Sequence, residues 1–136
     1  MKIIRFTEKN GSNQISYGRL DDKKIFKLLN SPYDEVLEFS EQSLELSNVE
    51  LLTPVSPQKI ICIATNYSGS TGVDNKMVEP VIFLKGANTI TSGKEVVHLP
   101  FPLNCWGESE LGFVVKKTIK DMGNEEFDSS SYILGF

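Results

Sequence analysis

The chain has 136 residues, 40% of them apolar and 24% charged, with a formal net charge of −4 and a pI near 5.0. That balance suits a folded globular chain and argues against intrinsic disorder. The acidic charge leaves no footprint for nucleic acid, and no apolar run approaches the roughly 20 residues of a membrane-crossing helix. The opening Met1-Lys-Ile-Ile-Arg-Phe-Thr-Glu8 meets an acid too early for a secretory leader, so a cytoplasmic location is expected. Cys62 and Cys105 lie far apart without metal-type spacing and are expected to be free, buried thiols.

In chain order, residues 2–7 predict a strand, Asn10-Gly11-Ser12 a turn and residues 14–20 a second strand. Asp21-Asp22 turns the chain into a third strand over residues 24–29. Ser31-Pro32-Tyr33-Asp34-Glu35 reads as a helix start, with Ser as cap, Pro at the first position and acids in the first turn. Val36, Leu37 and Phe39 would form its apolar side, and residues 41–50 read as a polar, acidic connector. Residues 1–50 are thus expected to form a small β-rich unit, and residues 51–136 a second domain. Pro54 and Pro57 mark that boundary.

Residues 59–64, Lys-Ile-Ile-Cys-Ile-Ala, have the pattern of a buried strand. Residues 65–78 are rich in Gly, Ser, Asn and Thr, a loop long enough to suggest function. Strands are predicted at residues 80–85, 95–99 and 108–117. A short helix capped by Asn124 is predicted over residues 124–130. Tyr132-Ile-Leu-Gly-Phe136 begins another strand, which reads as a core not yet closed at the end of this chain.

Chemistry concentrates at Glu108-Ser109-Glu110. On a strand, residues i and i+2 share a face, so the two carboxylates would point together. Like charges that close repel unless one is protonated or a cation lies between them. Hard divalent ions are held by one or two carboxylates with waters and substrate oxygens. The competing reading is a solvated pair on an exposed sheet face. The same face turns apolar further along, at Val114, and on these residues the choice stays open. Asn66-Tyr67 and Ser70 follow a predicted strand, a usual place for ligand contacts, or else simple turn chemistry. No base accompanies Ser70 to activate it. Lys85 closes its strand and is equally readable as an anion-binding group or a solvated strand end. His98, in an apolar context, reads as a packed or surface residue before a catalyst.

Several segments, in order and spacing, resemble the fumarylacetoacetate hydrolase family. They are Leu51-Leu52-Thr-Pro54-Val-x-Pro57-x-Lys59-Ile60, the strand into Asn66-Tyr67, Pro80-x-x-Phe83-x-Lys85, Glu108-x-Glu110-Leu111-x-x-Val114, and Gly135-Phe136. The similarity spans roughly residues 51–136, and the first fifty residues look like the small N-terminal unit of many members. It implies an α+β, β-rich fold, a mixed β-roll incomplete at the C-terminus of this chain, in a homodimer or other self-associated form. It implies Mg²⁺ or Mn²⁺ held by three carboxylates, with Glu108 and Glu110 on two of those positions. It also implies a small 2-oxo acid as partner, undergoing C–C hydrolysis, decarboxylation or isomerisation. Asn66 and Tyr67 would bind the substrate and Lys85 would neutralise charge in the pocket.

Two departures bear on activity. Ser70 stands where many members carry a histidine that activates water. The third metal ligand, an aspartate beyond the Gly-Tyr/Phe, would fall past Phe136. Hydrolysis would therefore lose a general acid–base factor of roughly 10²–10⁴, whereas decarboxylation and tautomerisation depend less on that base. The alternative expectation is a catalytically inactive family remnant acting as a binding or assembly module.

Overall fold

The computed structural model describes residues 1–11, 13–67, 79–93, 95–99, 104–122 and 128–136. It is β-rich with few helices and divides into two units, Met1–Leu52 with Val97–Phe136, and Thr53–Val96.

The first unit is built on a five-stranded antiparallel sheet ordered β4-β3-β2-β1-β5. Its strands are β1 (Lys2–Glu8), β2 (Ser16–Asp21), β3 (Lys24–Leu28), β4 (Phe39–Glu45) and β5 (Val49–Leu51). The first three fall close to where alternation predicts them. Asp21 pairs with Lys24, so Asp22 and Lys23 form a two-residue hairpin loop, with Asp22 at φ 52°, a region aspartate tolerates.

The predicted helix at Ser31 is absent. Residues 31–38 are turns and bends joining β3 to β4, and 41–50 is no connector: it carries most of β4, a 3-10 turn (Leu46–Asn48) and the start of β5. Asn30 explains the first difference. Its Nδ2 donates to the Val36 carbonyl at 2.7 Å and its Oδ1 accepts from the Glu38 amide at 3.0 Å. The Asp34 carboxylate accepts from the Ser31 amide at 3.0 Å. These side-chain bonds satisfy the backbone locally and favour a turn over helix propagation.

Glu45 and Val49 are four peptide units apart, at most about 14 Å. A flat sheet would hold the outermost strands β4 and β5 about 19 Å apart, so this sheet is curled over its inner face. That face holds Phe6 and Ile25, both 0% exposed, and Val49, with Ile4, Leu20, Leu44 and Leu46 around them. Gly18 makes the packing possible. A Cβ there would lie 2.7 Å from Ile25 Cγ2, 2.8 Å from the Phe26 carbonyl oxygen and 3.2 Å from Phe6 Cε1. Lys27 reaches across β2 to Glu8, Nζ to Oε1 3.3 Å. Arg19 lies over the rings of Phe26 and Phe39, at 4.9 and 5.3 Å. Its buried Nε has no hydrogen-bond partner among the described residues, and the two π-faces carry part of the compensation.

In the same unit, β8 (Val114–Val115) pairs antiparallel with β9 (Ile133–Gly135). One helical turn, α1 (Ser129–Tyr132), leads into β9. Its cap is Asp128, whose carboxylate accepts from the Ser130 amide at 3.0 Å, Ser130 Oγ at 2.7 Å and Ser131 Oγ at 2.5 Å. The Ser131 and Ser130 bonds hold this carboxyl below its ordinary value of 3.8. The predicted cap, Asn124, lies outside the described residues. Phe113 and Phe136 meet edge to face, with centroids 6.3 Å apart.

The second unit contains a two-stranded antiparallel sheet of β6 (Lys59–Ala64) and β7 (Val81–Gly86). Both strands are where the sequence predicts them, but β6 is not buried. Its residues alternate between exposed and half-buried, and β7 is exposed throughout. Among the described residues of this unit none is buried. Two strands alone have no second layer to cover an apolar face. Residues 95–99, predicted as a strand, have no ladder partner and are irregular.

Candidate functional site

Glu108 and Glu110 lie in the irregular segment 104–113 that enters β8. The predicted strand over 108–117 contracts to Val114–Val115, because among the described residues only there does a partner strand complete the backbone hydrogen bonds. The ladder does not extend to the two carboxylates, so strand alternation does not fix them on one face. Both residues are exposed, as are Leu111 and Phe113 at 61% and 60%.

The segment is anchored downstream rather than at the acids. Val114 pairs with Gly135, Val115 with Ile133, and the Lys116 amide donates to the Tyr132 carbonyl at 2.9 Å. Beside the acids, Trp106 Nε1 donates to Glu108 Oε1 at 3.1 Å. Neither carboxylate takes part in the ion pairs found among the described residues. The sequence reading assigned Trp106 no role. The available signal was an indole N–H only two residues from a carboxylate, near enough in sequence for the two side chains to meet.

The donor chemistry fits a hard divalent cation in kind, since carboxylate oxygens are what Mg²⁺ and Mn²⁺ select. In number it gives an open site. Among the described residues no three His, Cys, Asp or Glu side chains gather closely enough to hold a metal ion. Two carboxylates with waters and substrate oxygens remain a recognised Mg²⁺ arrangement.

The other candidates lie in the second unit. Asn66 and Tyr67 follow β6 and are exposed. The intervening Thr65 has φ 55°, strained for a β-branched residue. Lys85 pairs with Ile60, near the start of β6, and its Nζ lies 5.8 Å from the Phe83 ring centroid. Ile60 and Ala64 are four strand residues apart, about 13 Å. Lys85 and the Asn66–Tyr67 pair thus belong to opposite ends of this sheet. Ser70 lies outside the described residues. His98 is exposed in an irregular segment. Cys62 and Cys105 are free, but Cys62 is half-buried and Cys105 exposed, not the buried pair expected.

Residues 1–54 match the family model described as Rv2993c-like, N-terminal. The chain is 34% identical over 105 residues to oxaloacetate tautomerase fahd2, mitochondrial, of Xenopus laevis, covering 74% of this chain and 32% of that protein. It is 26% identical over 125 residues to the fumarylacetoacetate hydrolase domain-containing protein 2 homolog of Dictyostelium discoideum, covering 85% of this chain and 40% of that one. A solved structure of an uncharacterised Mycobacterium abscessus protein superposes with a TM-score of 0.51 at 22% identity. That match covers 64% of this chain and 34% of that one, and shows a shared fold. The chain spans between 32% and 40% of the length of these two curated relatives. These matches and the ordered segments above agree, and the chain belongs to the fumarylacetoacetate hydrolase family, corresponding to the N-terminal portion of a member.

Proposed function

We propose that this chain contributes to a Mg²⁺- or Mn²⁺-dependent enzyme acting on a small 2-oxo acid, with keto–enol tautomerisation as the reaction. The observation that carries this reading is the exposed pair Glu108 and Glu110, two carboxylates outside the ion pairs found among the described residues, at positions the family resemblance assigns to metal ligands. When bound, the metal supplies Lewis-acid polarisation of the oxo group. Glu108 and Glu110 provide hard oxygen donors, and Asn66 and Tyr67 provide polar contacts to the substrate. Lys85, which the resemblance implies would neutralise charge on the substrate, sits at the other end of the β6–β7 sheet from Asn66 and Tyr67.

Tautomerisation is favoured over hydrolysis on two grounds. Ser70 replaces the histidine that activates water in many members, and moving a proton between carbon and oxygen needs no activated water. The Xenopus relative is named an oxaloacetate tautomerase, which supports the same choice. Titration calorimetry with Mg²⁺ and Mn²⁺, comparing wild type with Glu108→Ala/Glu110→Ala, tests the metal site. Saturable heat lost in the double variant supports it, and identical weak heats in both proteins refute it. Decay of the enol absorbance of oxaloacetate, with and without Mn²⁺, tests the reaction.

One observation favours a second reading, a non-catalytic assembly module. Ile61, Ile82 and Leu84 on the β6–β7 sheet are 64%, 60% and 67% exposed, and this unit has no buried residue among those described. Open strand edges with apolar faces are surfaces for association. Self-association of the chain belongs to this reading. Size-exclusion chromatography with light scattering checks it, and a stable, well-folded monomer would count against it.

A further inference from the structure

We propose that Trp106 is a positioning residue for Glu108, holding one carboxylate oxygen so that the other is presented to a divalent cation. The inference rests on the metal-site reading above and extends it to a residue outside the ligand pair. Trp106 is 77% exposed, so water could satisfy its indole N–H. Nε1 instead donates to Glu108 Oε1 at 3.1 Å, across the single residue Gly107.

The geometry leaves the carboxylate competent to bind. An ionised carboxylate has about four lone-pair sites, so one indole donor on Oε1 leaves Oε2 open. The bond also removes freedom that an unrestrained glutamate would lose only on binding. Carboxylates that ligate metals are characteristically oriented by such outer hydrogen bonds, whose loss costs about 10–100-fold in affinity at enclosed sites. Here donor and acceptor are both exposed, and solvent competition reduces the expected effect to about 3–10-fold.

Trp106 is the sole tryptophan of the chain, so the protein has one indole ¹H–¹⁵N resonance and one tryptophan emission. In cation-free buffer, Glu108→Ala should move that resonance upfield, as expected when an indole N–H exchanges a carboxylate for water. An unmoved resonance overturns the proposal. Mg²⁺ titration of wild type should shift the same resonance along the calorimetric binding curve. Trp106→Phe keeps an aromatic ring and removes the donor, and calorimetry should show Mg²⁺ binding about 3–10-fold weaker. Trp106→His, which restores a ring N–H, should recover part of that loss. Equal affinity in wild type and Trp106→Phe overturns the positioning role while leaving the metal site standing. Absence of Mg²⁺ binding in wild type overturns the metal-site reading, and the positioning role with it, even if Glu108→Ala moves the resonance.

Discussion

Gly18→Ala sets two effects against each other, and the structure decides between them. Removing a strand glycine recovers roughly 0.5–1 kcal/mol, because alanine loses less backbone entropy on folding. Against this, the new methyl would lie 2.7 Å from Ile25 Cγ2, 2.8 Å from the Phe26 carbonyl oxygen and 3.2 Å from Phe6 Cε1. Carbon atoms in favourable contact sit about 3.5–4.0 Å apart, so the overlap is close to an ångström. Ile25 could shift, but the Phe26 oxygen is backbone, held where β3 pairs with β2. Overpacking of this kind costs about 1–3 kcal/mol, and because one clashing atom is backbone the upper part of that range applies, about 2–3 kcal/mol, giving a net destabilisation of about 1–2.5 kcal/mol. Urea unfolding followed by far-UV circular dichroism measures it, with Gly112→Ala as control, since a Cβ there meets nothing within 4 Å. The midpoint of Gly18→Ala should fall while that of Gly112→Ala stays or rises slightly. A midpoint for Gly18→Ala at or above wild type would refute the packing argument.

Asn30→Ala removes the donor to Val36 and the acceptor for Glu38 and should cost about 1 kcal/mol; Asn30→Asp, which retains the acceptor, should lose less in the same urea titration. Thr65→Gly should relieve a positive φ and stabilise its unit by about 1 kcal/mol, read as slower amide exchange along β6. Asp128 is held below 3.8 by the Ser131 and Ser130 hydrogen bonds, so its contribution is present above the unfolded value and is lost as pH falls through the lower folded one. Carboxyl-carbon NMR should place its midpoint below 3.8, and Ser131→Ala should move that midpoint upward.

Sequence alone determined much of the strand framework, because alternation and turn residues act locally. Strands β1, β2, β3, β6 and β7, the Asp21–Asp22 turn and the final strand were all legible in this way. The family followed from residues in order, including Glu108 and Glu110. Non-local contacts decided the rest. Ser31-Pro32 with following acids looks like a helix start, yet Asn30 reaches forward to Val36 and Glu38 and closes a hairpin loop instead. Residues 41–45 look like a polar linker, yet they pair with β3, and the sheet curls so that Leu44 joins Phe6 and Ile25. At Glu108, strand periodicity was a sound local expectation, but no partner strand meets it among the described residues. The carboxylates were visible as residues; which way one of them is held was decided by an indole two positions away.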